Sequence, residues 1–166
     1  MPFSRNALIY KRSHMLRFAA AAFALFAFSA SASAQGKPAA KDDEVQHRLV
    51  IHVDDNDKQK MELALNNAAN VSKAYAEKGE EVEVEIVVYG PGLHMFRTDT
   101  SPIKERIQSF RQSMPNVAFS ACGNTIHTME KQSGKKVVLF PKIRVVPAGV
   151  TRIMELQEQG WSYIKP

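Results

Sequence analysis

The sequence predicts an α/β domain built on a roughly five-stranded, mostly parallel sheet. Three observations carry that expectation. Short runs of apolar and β-branched residues alternate along the chain with stretches in which apolar residues return every three or four positions. The runs are closed by clusters of Gly, Pro, Asp and Asn. The periodic stretches are long enough to act as crossover helices between neighbouring parallel strands.

Leu49-Val50-Ile51-His52-Val53 reads as a buried strand, stopped by Asp54-Asp55-Asn56-Asp57, a polar turn that supplies a helix N-cap. The helix that follows carries Met61, Ala64, Leu65, Ala68, Val71 and Tyr75 on one face, with Gly79 as its stop. Val82 to Val88 is the second strand. Its first half alternates Val82, Glu83, Val84, Glu85 and Ile86, so one face is expected to be partly wet there, whereas Ile86-Val87-Val88 is expected to be buried on both sides. Gly90-Pro91-Gly92 ends it. Ser101 is expected to cap a helix with Pro102 in its first turn and Ile103, Ile107, Phe110 and Met114 along its apolar face, stopping before Pro115.

Val117 to Ala121 reads as a third strand and Cys122-Gly123-Asn124-Thr125 as the turn into a short helix, followed by a solvated loop from Lys131 to Lys136. Val137-Val138-Leu139-Phe140 is ambiguous. Arg144-Val145-Val146 is a short fourth strand; Pro147-Ala148-Gly149 opens a helix carrying Val150, Ile153 and Met154, which Gly160 ends; Trp161 to Ile164 is a terminal strand. There is no internal repeat. The order implies a flavodoxin-like three-layer sandwich with right-handed crossovers and helices on both faces. In such sheets ligands gather beyond the carboxyl ends of the strands. That rim is expected to carry Asp54-Asp55-Asn56, Gly90-Pro91-Gly92 with His94, Cys122 to Thr125, and Pro147-Ala148-Gly149.

The first 34 residues have the three parts of an export signal: basic Lys11, Arg12 and Arg17, an apolar run from Phe18 to Phe28, and small residues closing in Ala32-Ser33-Ala34. The apolar run is about half of the roughly 20 residues a helix needs to cross a bilayer, so a signal peptide is expected and a membrane anchor is not. Met15, just before Leu16-Arg17, is a second candidate start beside Met1. Residues 35–46, rich in Gly, Pro, Ala, Lys and Asp, read as a flexible leader, and residues 47–166 as the domain. Cleavage removes four of the 22 basic residues and none of the 17 acidic ones, leaving a net charge near +1. With no basic stripe interleaved with aromatics, nucleic acid is not an expected partner. The expected compartment is the periplasm, with no membrane association after cleavage.

Cys122 is the single cysteine, so within one chain it has no disulfide partner. At a strand-to-helix junction, backbone N–H groups and the helix dipole favour a thiolate, and Gly123, Asn124 and Thr125 are expected to support it. The plainer reading is a small buried hydrophobe at a strand end. His94, after the glycine-rich turn of Gly90 and Gly92, is a candidate to stabilise that thiolate or an ordinary loop histidine. His52, His94 and His127 have no zinc-ligand spacing, and no metal is expected. Asp54, Asp55 and Asp57 lack calcium-loop spacing and read as turn and cap residues. Gly90-Pro91-Gly92 matches no nucleotide-binding pattern and reads as a tight turn. Asn66, Asn67 and Asn70 are unusual inside a helix, which suggests a specific hydrogen-bond partner for at least one of them.

Taken together, Ala64-Leu65-Asn66-Asn67-Ala68, Val88-Tyr89-Gly90-Pro91-Gly92, Ala121-Cys122-Gly123-Asn124-Thr125, Val146-Pro147-Ala148-Gly149-Val150 and Gln159-Gly160-Trp161-Ser162-Tyr163 resemble, in order and spacing, the DsrE/DsrF-like sulfur-relay family in its exported, single-domain branch. The resemblance implies a flavodoxin-like sheet, homo-oligomers that are often trimers or hexamers, and a cysteine after the third strand that carries sulfur as a persulfide. Cys122 matches that position. The function expected is a periplasmic sulfur carrier of sulfurtransferase type with no bound cofactor, taking sulfur from a donor and passing it to an acceptor thiol or protein. The alternative is a non-catalytic module that binds a small ligand or a protein, with a structural cysteine; thiol redox sensing is a third reading and needs a second thiol from another molecule. The signal pattern predicts Gln35 as the mature N-terminus. N-terminal sequencing of exported protein checks it, and retention of Phe18 to Phe28 would refute it.

Overall fold

The computed structural model describes residues 47–166. The expected signal peptide and leader lie outside the described residues. Strand β1 (His47–Val53) leads through helix α1 (Lys58–Ala76) to β2 (Val82–Val88). A 3-10 segment (Gly90–Phe96) and α2 (Lys104–Ser113) lead to β3 (Val117–Cys122). Helix α3 (Gly123–Ser133), β4 (Arg144–Val146), α4 (Gly149–Glu158) and β5 (Ser162–Ile164) complete the chain. Among the described residues the strands form one five-stranded sheet in the order β4-β3-β2-β1-β5. Every neighbouring pair is parallel, which makes this a flavodoxin-like α/β fold. The register aligns Val53 with Val88, Val88 with Ala121, and Cys122 with Val146, so the carboxyl ends of the four strands share one rim.

Period-two burial assigns the strand residues to two unequal cores. Leu49, Ile51 and Val53, then Val82, Val84, Ile86 and Val88, then Val117, Phe119 and Ala121 face the larger one. There they meet Met61, Ala64, Leu65 and Ala68 of α1, Ile107 and Phe110 of α2, and Leu93, Met95 and Phe96 of the 3-10 segment. Phe119 takes Phe96 and Phe110 edge-on, at centroid distances of 5.5 and 6.5 Å. The opposite face is thinner. Val50 and Val87 pack there against Ile153 and Leu156 of α4, with Tyr89 and Trp161 beside them. Helices do cover both faces, but among the described residues only α4 lies on the second.

Several local expectations change. Helix α3 runs on to Ser133, into the segment expected to be loop, because Gly134 takes a left-handed φ of 65° and its N–H closes onto Glu130 O at 2.8 Å. Ser101 does not cap α2. Its hydroxyl donates to Met95 O at 2.8 Å and accepts from Ile103 N, stabilising a turn one step before the helix. Glu85 is not wet: it is 2 % exposed and paired under α4. Val150 and Met154 point outward, while Ile153 and Leu156 are the buried residues of α4. The ambiguous Val137–Phe140 stretch joins no strand of the sheet; it lies along Arg97–Thr98 and buries Phe140. Asp57 is the expected cap of α1, accepting from Lys60 N at 2.9 Å. Asn66 has its partner, Arg106 on α2.

Gly92 marks the tightest backbone approach. A Cβ there would lie 2.2 Å from Val53 O, and the Gly92 N–H already bonds Asp54 O at 3.0 Å. Gly92→Ala must push the 3-10 segment off the end of β1. A stability loss of ~1–3 kcal/mol is expected from such overpacking, and an unchanged thermal midpoint would contradict it.

Candidate functional site

Strands β3 and β4 are neighbours that send the chain to opposite faces of the sheet. After β3 the chain enters α3, whose Ile126 and Met129 pack on the larger core; after β4 it enters α4, on the smaller one. Such a switch opens a crevice at the carboxyl ends of the two strands. Cys122 lies in it, as the last residue of β3 and the N-cap of α3 in extended conformation (φ −71°, ψ 116°).

The thiol is thus held between the N-termini of two helices. Burial pushes the Cys122 thiol up, but the Thr125 hydroxyl and the backbone N–H groups of Gly149, Thr125 and Asn124 act the other way. They outweigh it, and the thiol titrates below its ordinary value. No tight capping bond reaches the sulfur. The donors surround it and favour its ionised form. Gly149 starts α4, and a Cβ there would fall 3.2 Å from Cys122 Cβ and 3.0 Å from the Tyr89 ring, so only glycine brings this helix start so close without displacing a neighbour. A Cβ on Gly123 would crowd Val146 O at 3.1 Å. The Asn124 N–H donates to Pro147 O at 3.1 Å and ties the two helix starts together.

Thr125 links the thiol to a groove of about 400 Å³ lined by Gly90, Pro91, His94, Asn124, Thr125, Thr128, Met129 and Gln132. Its hydroxyl accepts from the Gly90 N–H at 3.0 Å, so the β2 turn and the α3 start share one side chain. Of the residues singled out from sequence, Cys122, Gly123, Asn124 and Thr125 come together at the sulfur, and Gly90 and His94 border the adjoining groove. Gly92 belongs instead to the contact with β1. His94 shares a 2.7 Å hydrogen bond with Thr100, and burial, then Arg97, hold its imidazole below the usual range. It lines the groove beside Gly90 and Thr125.

Two further clusters form that the residues did not signal as groups, although His52 and Asp54 were each candidates on their own. Tyr89, at the end of β2, packs between Gly149 and His52, stacking on His52 at 4.4 Å. His52 is 4 % exposed and shares a 2.9 Å hydrogen bond with the Tyr163 hydroxyl of β5. Burial is the largest influence on its imidazole and holds it below the usual range against the pull of Asp54. Asp54 pairs with Lys165 at 2.7 Å. The second cluster is Glu85 with Arg152, Ser120 and Arg144, beneath the thiol on the α4 side. Alternation in β2 was the available signal for Glu85, but it marks a face and not whether a helix covers it. Among the described residues, no three His, Cys, Asp or Glu side chains gather as a metal would need.

Comparison with known proteins agrees with this architecture. No curated protein matches the chain. A solved structure does: a protein of unknown function, MTH1491 from Methanobacterium thermoautotrophicum, matches with a TM-score of 0.61 and 29% identity, over 72% of this chain and 99% of that one. A family model, described as the DsrE/DsrF-like family, matches residues 19–166. The chain, with its parallel sheet and a cysteine at the end of the third strand, therefore belongs to the DsrE/DsrF-like family.

Proposed function

We propose that this protein is a sulfur carrier in which Cys122 holds sulfane sulfur as a persulfide. The observation that carries the reading is the position of the thiol between the starts of α3 and α4, with the Thr125 hydroxyl and three backbone N–H groups acting on the sulfur. Each helix N-terminus favours a nearby negative charge by ~0.3–1 kcal/mol. Membership of a family related to sulfur relay supports the same chemistry.

In the loading step the Cys122 thiolate attacks the outer sulfur of a donor persulfide, R–S–SH. The donor's S–S bond breaks, R–S⁻ leaves and takes up a proton, and Cys122 becomes Cys–S–SH. One sulfane sulfur has moved, with no net oxidation. In the unloading step an acceptor thiolate attacks that outer sulfur and the Cys122 thiolate leaves. A thiol of lowered pKa leaves faster, so the donors that favour the thiolate also favour release. The same N–H groups suit the persulfide anion, and Gly90, Asn124 and Thr125 give the groove polar backbone and side-chain groups beside the sulfur.

The N-terminal signal pattern supports action in the periplasm. Val145, Val150 and Met154, more than half exposed around the thinly covered edge of the sheet, support a homo-oligomer such as a trimer or hexamer. A second reading is favoured by one observation: Cys122 is only 5 % exposed. On that reading the cysteine is structural, and the groove of Gly90, His94 and Thr125 binds a small ligand or a protein segment without chemistry.

Incubation with a polysulfide or thiosulfate donor should add about 32 Da, one sulfur atom, to the intact protein. Cyanide or a thiol should remove it, and Cys122→Ser should abolish it with the fold retained. A wild type left unmodified under donor excess, or a Cys122→Ser protein that unfolds, would replace the carrier with the binding module. Because the thiol titrates below its ordinary value, loading should persist to lower pH than it does for an ordinary thiol and fall as acid protonates the thiolate. Light scattering of the mature form should give a mass well above one chain, and a monomer at micromolar concentration would count against the oligomer.

A further inference from the structure

Glu85 lies in β2, the central strand of the sheet, on the side covered by α4, and is 2 % exposed. Ser120, two residues before Cys122 on the same face of β3, donates to its Oε1 at 2.6 Å. Arg152 donates Nε to Oε1 at 2.9 Å and Nη2 to Oε2 at 2.7 Å, and Arg144 Nη1 stands 3.9 Å from Oε2. One carboxylate thereby joins β3, β4 and α4, the elements that meet around the thiol. Arg152 is also the residue whose N–H donates to Ala148 O at 3.0 Å, closing the first turn of α4. Its guanidinium is therefore fixed one turn from the Gly149 N–H.

We propose that Glu85 and Arg152 are positioning residues for Cys122: their two-pronged ion pair sets the seat of α4 on the sheet and so holds the Gly149 N–H against the sulfur. Planar recognition of a carboxylate by arginine restrains distance and direction together, which a single contact does not. Just after β2, Tyr89 packs on the start of α4 beside Cys122, and burial, then Asp54, push its hydroxyl above the usual range. Of the charged side chains of β4 and α4, Arg144 and Arg152 are turned onto Glu85, Glu155 lies 3.8 Å from Arg152, and Glu158 is exposed at the far end of α4. The clamp acts on the thiol through geometry.

The proposal rests on the reading of Cys122 as a thiolate site, and its test uses no sulfur donor. The rate of Cys122 alkylation is measured against pH in the full-length mature protein, with Cys122→Ser as the blank. Two variants are compared, Glu85→Gln and Arg152→Lys. A charge acting through space and a clamp acting through position predict opposite signs for Glu85→Gln. Removing a negative charge would favour the thiolate; loosening α4 withdraws a donor from it. The clamp therefore predicts that both variants raise the thiol pKa and slow alkylation near neutral pH about two- to fivefold, the size of a helix-terminus effect on a charge. Arg152→Lys keeps the charge and loses the fork, so it separates position from charge a second time. Lys73→Ala, which removes an exposed i,i+4 pair with Glu77, should leave the profile unchanged. An unaltered or faster rate in either folded variant overturns the proposal, and if one variant fails to fold the other decides. Absence of a mass gain on the wild type would remove the carrier while leaving the clamp standing.

Discussion

A carboxylate in the central strand of a sheet, almost wholly withdrawn from water, has to be paired, and the pairing of Glu85 with Arg152 is the contact on which the second face depends. Among the described residues the larger core has α1, α2, α3 and the 3-10 segment to cover it, and the smaller has α4 alone. Its apolar contribution is limited to Val50, Val87, Ile153 and Leu156 with two aromatic neighbours. A cluster that small sets burial without setting direction. The ion pair supplies direction, because removing either partner strands the other charge beneath the helix, at a typical cost of ~3–5 kcal/mol. Burial alone would raise the Glu85 carboxyl, yet the hydrogen bonds from Arg152 and Ser120, with the charges of Arg152 and Arg144, hold it below the ordinary range.

The position of α4 in turn determines the environment of the cysteine. A thiol at a strand end with one helix behind it is common enough to be inert. Here the chain changes faces between β3 and β4, so a second helix begins against the same sulfur, and glycine at position 149 permits contact at backbone distance. Burial and hydrogen bonding then pull on the thiol in opposite directions, and hydrogen bonding prevails. The groups that favour the ionised sulfur are the Thr125 hydroxyl and a set of oriented backbone N–H groups.

On the other side of the rim a separate polar cluster secures the chain end. His52, stacked on Tyr89 and bonded to Tyr163, with Lys165 on Asp54, joins the end of β1 to the short edge strand β5. Edge strands of three residues have little ladder to hold them, so side-chain contacts of this kind carry much of their attachment. Tyr89 belongs to both clusters, touching His52 on one side and the start of α4 on the other.

Much of this was legible in the order of residues. Strand and helix identities follow from periodicity, which depends only on the 2.0 and 3.6 residue repeats of the backbone, and the parallel sheet follows from their alternation. The terminal Cys122-Gly123-Asn124-Thr125 segment declared a strand-to-helix junction by the same means. Local patterns misread Gly134, taken for part of a loop when its left-handed φ ends a longer helix, and Ser101, whose hydroxyl found the Met95 carbonyl in place of the helix. They also left Glu85 on a wet face, because alternation reports which side a residue is on and not what covers that side. The sequence by itself determined the elements, the rim and the presence of a lone thiol upon it. Only the tertiary structure decided that α4 crosses to the second face, that Arg152 meets Glu85 there, and that Gly149 and Tyr89 complete the surroundings of Cys122, since those contacts join residues 27 to 67 positions apart whose encounter depends on the side each crossover takes.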